Sequence, residues 1–209
     1  MAGFWRRYGA IILTLAAIAA LSAGGLYARG QAADIQLFHT INTSRTNAGF
    51  DALGTVGYGL GSFWFSLGLF TILFFLGWRR LALSAIGAIV AGALLVLLIK
   101  YLAHQPRPAQ ELPGVRAVGI PEYGLGYPSG HSAQAFLTVY LLCSYFSFRW
   151  YTQAGLYSLA SLVALTRVYT GVHLPVDIVV GAAIGLLFGV LWVHTRLWPG
   201  PRRRERWRT

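Results

Sequence analysis

Long uninterrupted apolar stretches dominate the chain, and short segments containing arginine, proline or glycine separate them. A single helical membrane crossing needs about 20 predominantly apolar residues. The stretches that approach this length are 9–27, 58–77, 81–99, 133–148, 154–168 and 176–194, of which the fourth and fifth are the shortest. Because these runs do not alternate between apolar and polar residues, they predict helices and not the strands of a barrel.

The overall composition supports a membrane protein. Apolar residues make up 56% of the 209 positions and charged residues only 11%, which leaves too little polar surface to coat a soluble globule. The chain shows no internal repeat. We therefore predict an all-α polytopic membrane protein in which residues 1–209 form one domain, a bundle of six transmembrane helices.

The basic residues predict how the bundle is oriented, because cytoplasmic segments are enriched in arginine and lysine. With the N-terminus inside, six basic residues fall outside: Arg29, Arg45, Lys100, Arg107, Arg116 and Arg167. The other eleven fall inside: Arg6, Arg7, Arg79, Arg80, Arg149, Arg196, Arg202, Arg203, Arg204, Arg206 and Arg208. This bias predicts that both the N- and C-termini are cytoplasmic and that the two long loops, 28–57 and 101–132, are extracytoplasmic.

The first stretch is open to a second interpretation. Arg6 and Arg7, the apolar run and the small residues of 20–23 also resemble a secretory signal peptide. The run exceeds the about 7 to 15 apolar residues of a typical signal peptide, which favours a retained span. In either case the C-terminus stays on the same side.

The net charge of +11 raises the question of nucleic-acid binding, and the arginine-rich tail has a suitable composition. A cluster of arginines next to a membrane span is also the usual cytoplasmic anchor and attracts anionic headgroups. We favour the anchor and expect no nucleic-acid partner. Cys143, the only cysteine, cannot form an intramolecular disulfide.

Three polar clusters lie at the edges of the later apolar stretches. They are Lys100 with Arg107 and Pro108, then Pro128, Ser129, Gly130 and His131, and finally Arg167, His173 and Asp177. Lys100 is the only lysine in a chain that otherwise uses arginine, which suggests a specific need for an ammonium group. In the six-helix topology all three clusters face the extracytoplasmic side, so we expect them to form one site.

The residue types in these clusters are suited to binding and transferring a phosphate. Lys100, Arg107 and Arg167 would neutralise its charge, and Ser129 with Gly130 at a helix start would direct a hydroxyl and backbone N–H groups at its oxygens. Two histidines remain for proton and bond chemistry. These three features predict an anion site with catalytic histidines.

His173 and Asp177 are four residues apart, which is the spacing of neighbours on one helix face. Pro175 favours a helix start near Leu174, from where Asp177 could still reach back to His173. A carboxylate in this position fixes the imidazole tautomer and leaves the far nitrogen nucleophilic. His131 would then act as the general acid and afterwards as the base that activates water.

The three clusters resemble the motifs of the type 2 phosphatidic acid phosphatases, which share their site with vanadium haloperoxidases. The family pattern K-x6-RP, PSGH and SR-x5-H-x3-D is matched except that Thr166 stands where the family usually has Ser. The resemblance implies a metal-independent lipid phosphatase without a cofactor. It implies His173 as nucleophile, Asp177 as its orienting residue, His131 as acid and base, and Lys100, Arg107, Ser129, Gly130 and Arg167 as phosphate ligands.

Alternatives stay open at this stage. His131, His173 and Asp177 could supply three metal ligands, although three nearby cations would repel a divalent ion. The same phosphohistidine could pass its phosphate to an acceptor lipid, or the scaffold could act as a non-enzymatic lipid carrier or scramblase. We expect hydrolysis of a membrane lipid phosphate or diphosphate on the periplasmic face of a bacterial cytoplasmic membrane. Undecaprenyl diphosphate, phosphatidylglycerol phosphate, phosphatidic acid and lipid A phosphates all fit, and segment 111–127 is expected to set selectivity.

Overall fold

The structure is a computed structural model that describes residues 2–43, 46–194 and 199, with side chains described from Gly9 onward. Within these residues the chain forms helices and no strand, which confirms the all-α prediction. The helices are α1 (Ala2–Ala28), α2 (Ala32–Thr43), α3 (Ala48–Gly61), α4 (Phe63–Phe75), α5 (Arg79–Ala103), α6 (Pro108–Glu111), α7 (Gly130–Phe146), α8 (Trp150–Tyr169) and α9 (Pro175–Val193).

The predicted second span is not one helix. The chain breaks between α3 and α4, which meet at a bend of 56°. Ser62 causes the break locally, because its backbone is extended and its hydroxyl accepts a hydrogen bond from Phe65 N at 3.0 Å as the N-cap of α4. The expected single helix over 58–77 is therefore wrong at its start, where α3 begins ten residues earlier.

Among the described residues, three segments are long and apolar enough to cross a membrane: Gly9–Ala28, Arg79–Glu111 and Pro175–Val193. The bent pair of α3 and α4 makes a fourth if it counts as one span. Helix α7 has only 17 residues, and α8 carries several polar side chains. Six spans and cytoplasmic termini thus remain predictions. Several arginines behind the predicted orientation lie outside the described residues or side chains: Arg6, Arg7, Arg45, Arg196, Arg202, Arg203, Arg204, Arg206 and Arg208.

Helix α2 lies in the first long loop and packs against the bundle. Its Phe38 is fully buried and packs with Val168 of α8 and Ile178 of α9. Asp34 explains the docking, because its carboxylate accepts hydrogen bonds from Gly30 N and Val176 N, both at 3.0 Å. Asp34 therefore ties α2 to the first turn of α9.

The closest helix packing lies between α7 and α9, and glycines make it possible. Gly181 lies against the Ser129 carbonyl, Gly185 against the Ala133 carbonyl, and Gly189 against the ring of Tyr140. A glycine at every fourth position exposes the backbone along one helix face, which lets two helices approach closely. This tight packing places the start of α9 beside the start of α7.

The glycine contact predicts a selective loss of stability. A Cβ at position 185 would collide with the backbone of Ala133, which cannot rotate away. We expect Gly185→Ala to lower the free energy of unfolding by about 1–3 kcal/mol. Thermal unfolding of the purified protein in detergent measures this effect. The matched control is Gly155→Ala on α8, where an added Cβ meets nothing within 4 Å. Equal melting temperatures for the two variants would contradict the packing.

Candidate active site

The predicted site residues meet at one end of the helix bundle. Lys100 lies in the last turn of α5 and Arg167 in the last turn of α8. Ser129 caps the start of α7, and its backbone N–H donates to the Asp177 carbonyl of α9 at 2.9 Å. Residues separated by up to 77 positions are thus brought together because four helices end or begin at this place. The predicted convergence of the three clusters is observed.

His173 and Asp177 form a pair across the start of α9. His173 Nδ1 lies 3.4 Å from Asp177 Oδ2, and the same carboxylate oxygen accepts a hydrogen bond from Leu174 N at 2.9 Å. Leu174 is the N-cap and Pro175 the first helical residue, as the sequence predicts. Both side chains are almost completely buried. The local helix start therefore fixes the Asp177 carboxylate beside Nδ1 of the imidazole ring.

The second nitrogen of His173 points towards the cationic part of the site. His173 Nε2 lies 3.5 Å from Arg107 Nη1, whose guanidinium also donates to the Val172 carbonyl at 3.3 Å. Burial, together with the positive charges of Lys100, Arg107 and Arg167, holds the pKa of His173 well below its usual range. The low pKa favours the neutral imidazole.

A carboxylate lies between the two arginines of the site. Arg107 Nη2 is 3.0 Å from Glu122 Oε2, and Arg167 Nη2 contacts Glu122 Oε1. The side chains of both arginines are at least nine-tenths buried, whereas that of Glu122 is 14% exposed. The sequence carries no signal for this contact except that Glu122 falls within segment 111–127. The two guanidinium groups thus form a cradle that already holds one anionic group.

Three further nitrogens at this place are buried and have no hydrogen-bond partner among the described residues: Arg107 Nε, Arg167 Nε and His131 Nε2. Buried polar groups are normally paired, so the two arginine nitrogens are suited to donate to a ligand with acceptor atoms, and His131 Nε2 can donate or accept according to its tautomer. Tyr58 packs beside two of these groups, with its ring centroid 5.0 Å from that of His131 and 5.3 Å from Arg167 Cζ. The ring holds both side chains in place.

The other predicted phosphate ligands lie at the site, but their side chains make hydrogen bonds within the protein or cap a helix. Lys100 Nζ donates to the Leu125 carbonyl at 2.8 Å, so its ammonium supports the loop before α7. Ser129 Oγ accepts from Ser132 N at 3.4 Å as a helix cap, and Gly130 is the first residue of α7. Within the described residues, His131, His173 and Asp177 do not form a group that could hold a metal ion.

Arg29 reaches the site from the end of α1, which the sequence pattern did not indicate. Its Nε donates to Asp177 Oδ1 at 2.9 Å, and its side chain is only 4% exposed. The sequence gives only a weak indication of this contact, because Arg29 resembles any other arginine beside a membrane span. Its partner lies 148 positions away in the sequence.

The loop that carries Glu122 is fixed by contacts outside the site. Asn42 of α2 accepts from Arg116 N at 2.9 Å and donates to the Arg116 carbonyl at 2.8 Å. Arg116 Nη2 forms hydrogen bonds of 2.8 and 2.6 Å to the Asp51 carboxylate, which also accepts from the Tyr169 hydroxyl at 2.6 Å. These contacts hold the loop against α2, α3 and α8, so Glu122 is presented to the arginines by an anchored segment.

An apolar groove of about 320 Å³ opens beside the site, along α5 and next to the bend between α3 and α4. Its walls include Phe63, Val96 and Leu97, and Lys100 and His131 also line it. An apolar channel with a cationic end suits a molecule that has a hydrocarbon tail and an anionic head.

The Glu122 contact predicts a change in anion affinity. Glu122→Gln removes the negative charge that competes for Arg107 and Arg167. We expect the dissociation constant for tungstate, a phosphate-like oxyanion, to fall about 10-fold or more, which corresponds to 1.4 kcal/mol. Isothermal titration calorimetry of the detergent-purified protein measures this constant. Glu111→Gln is the control, because Glu111 is 44% exposed and does not contact these two arginines. Unchanged or weaker binding by Glu122→Gln would contradict the cradle.

The chain is similar in fold to proteins of known structure. The crystal structure of Aquifex aeolicus LpxE superimposes with a TM-score of 0.72 at 31% identity, covering 79% of this chain and 98% of that one. A Bacillus subtilis structure described as a transmembrane PAP2 type phosphatidylglycerolphosphate phosphatase gives a TM-score of 0.66 at 24% identity, covering 88% and 94%. The second likeness supports the membrane fold.

Among curated proteins, a lipid A 1-phosphatase from Porphyromonas gingivalis is 37% identical over 79 residues. That match covers 36% of this chain and only 18% of the relative's own length. The family model described as PAP2 superfamily matches residues 81–200, which contain all eight predicted site residues. Because this match extends over more than half of the chain, the protein belongs to the PAP2 superfamily.

Proposed function

We propose that the protein is a phosphatase that hydrolyses a membrane lipid phosphate or diphosphate through a phosphohistidine on His173. The observation that carries the proposal is the Glu122 carboxylate held between Arg107 and Arg167. A phosphate group in the same place would receive hydrogen bonds from both guanidinium groups and would lie next to His173 Nε2. Glu122 therefore stands where the substrate's phosphate would bind.

The arrangement supports a two-step reaction. In the first step His173 Nε2 attacks phosphorus, an N–P bond forms, and the bond from phosphorus to the lipid oxygen breaks. His131 protonates the departing oxygen, while Asp177 holds the other ring nitrogen and stabilises the positive ring. In the second step His131 takes a proton from water, which attacks phosphorus and releases His173. Two lower barriers replace one high barrier.

The proposed substrate class rests on the groove and on the relatives. The apolar groove reaches Lys100 and His131, so a lipid tail could lie along α5 while its headgroup occupies the cradle. Similar proteins are named as a lipid A 1-phosphatase and a phosphatidylglycerolphosphate phosphatase. We propose that the substrate belongs to this group of lipid phosphates or to the undecaprenyl diphosphate class.

The membrane topology is part of the proposal. We propose six membrane-crossing segments, in which α8 exposes Leu159, Leu162 and Leu165 by nearly half. Helices α5 and α9 are long and apolar, and α5 exposes Leu94, Leu97 and Leu98 by more than half, as lipid contact allows. With both termini cytoplasmic, the site opens on the extracytoplasmic face, which in a bacterium is the periplasmic face.

Phosphate release tests the activity. We expect the purified protein to release inorganic phosphate from such lipids with EDTA present, because no step requires a metal. His173→Ala should lower kcat at least about 10³-fold, since the nucleophile is lost. His194→Ala is the control, because His194 is exposed at the end of α9 and away from the site. Full activity in His173→Ala, or complete loss with EDTA, would refute the mechanism.

The fate of the phosphoryl group separates hydrolysis from transfer. In water enriched in ¹⁸O, hydrolysis of the phosphohistidine places one ¹⁸O atom in each released phosphate, which mass spectrometry detects. We expect this label in every turnover. A new phosphorylated lipid without labelled phosphate would instead identify a phosphotransferase. Lipid transport without any phosphate release would identify a carrier or scramblase.

A further inference from the structure

Arg29 makes four polar contacts beside the site. Its Nε donates to Asp177 Oδ1 at 2.9 Å, its Nη1 to Gln105 Oε1 at 3.2 Å, and its Nη2 to the Pro106 carbonyl at 2.6 Å. A weaker ion pair at 3.6 Å joins it to Glu111. One guanidinium therefore connects the end of α1, the chain leading to Arg107 and the first turn of α9.

The two oxygens of the Asp177 carboxylate have different partners. Asp177 Oδ1 receives Arg29, and Asp177 Oδ2 faces both His173 Nδ1 and Leu174 N. With donors on both oxygens, the carboxylate cannot rotate without breaking a hydrogen bond. The orientation of Oδ2 towards His173 Nδ1 therefore depends on Arg29.

Arg29 also supplies the charge that Asp177 needs. The Asp177 side chain is fully buried, and a buried carboxylate without a cationic partner is strongly disfavoured in its charged form. Lys100 and Arg107 also carry positive charge near this place, but the first is hydrogen-bonded to Leu125 and the second is paired with Glu122. The direct ion pair of Asp177 is with Arg29.

We propose that Arg29 is a positioning residue that acts on the reaction through Asp177. It keeps Asp177 charged and oriented, so that His173 presents its Nε2 to the phosphorus. The inference rests on the proposed phosphatase function and deepens it. Arg29 lies outside residues 81–200, the part of the chain matched by the family model, so helix α1 supplies a component of the site that the matched region lacks.

Kinetics of single variants give the first test. We expect Arg29→Gln to lower kcat about 10²-fold, as a misplacement of about 1 Å at a reacting centre does, and to leave KM within about threefold. Arg29→Lys should recover about 10-fold of that loss, because an ammonium still pairs with Asp177 but gives up the contacts with Gln105 and Pro106. An unchanged kcat in Arg29→Gln would overturn the proposal.

A double-mutant cycle with Asp177→Asn tests the route through Asp177. If Arg29 acts through this carboxylate, adding Arg29→Gln to the Asp177→Asn variant should lower kcat by less than about threefold. The loss of kcat in the double variant is then much smaller than the product of the two single losses. Fully multiplicative losses would show that Arg29 acts independently of Asp177 and would overturn the proposal. If Arg29→Gln fails to fold, the same cycle with Arg29→Lys applies the same criterion.

Two controls separate a local effect from general damage. Arg116→Gln removes another arginine that is paired with a carboxylate on the same part of the molecule, and it should give multiplicative effects with Asp177→Asn. Tungstate-binding stoichiometry should stay at one per chain in Arg29→Gln, since Arg107 and Arg167 are unchanged. A stoichiometry that falls in proportion to kcat would mean lost folded protein and would refute positioning. Absence of phosphate release by the unaltered protein would instead refute the proposed function.

Discussion

The arrangement of the site depends on the neutralisation of buried positive charge. Arg107 and Arg167 extend their guanidinium groups into the end of the bundle, with Lys100 nearby. Cations so close together repel each other strongly where little water screens them. An anionic group must therefore be present between the arginines, and Glu122 fills that position. The two arginines need an anion between them, and the anion present is the partly exposed carboxylate of Glu122. The site is therefore well suited to exchange this carboxylate for a phosphate.

The helices have the positions that this arrangement requires. The glycine face of α9 lets its first turn lie beside the first turn of α7, which brings Asp177 next to Ser129. Helices α5 and α8 both end at the site, so Lys100 and Arg167 reach it from the last turns of these helices. The charged residues of the site thus lie at helix ends or in loops, where backbone groups can pair with them. The apolar helix middles are left free to face lipid.

The sequence predicted the parts of the site that depend on local spacing. The four-residue separation of His173 and Asp177, with Pro175 between them, was enough to predict their pairing at a helix start. The convergence of the clusters followed from where the apolar stretches end. Glu122 and Arg29 escaped prediction because their contacts with Arg167 and Asp177 join residues 45 and 148 positions apart, and neither residue has a distinctive sequence neighbourhood. The break at Ser62 was missed because a single serine within an apolar run does not interrupt the hydrophobic pattern.

The central claim is that the cradle between Arg107 and Arg167 is the phosphate site. The most direct measurement is a crystal or electron cryomicroscopy structure of the protein with tungstate bound. The account predicts tungstate oxygens hydrogen-bonded to both guanidinium groups, tungsten facing His173 Nε2, and the Glu122 carboxylate displaced from the arginines. Tungstate bound elsewhere, with Glu122 still between Arg107 and Arg167, would contradict it.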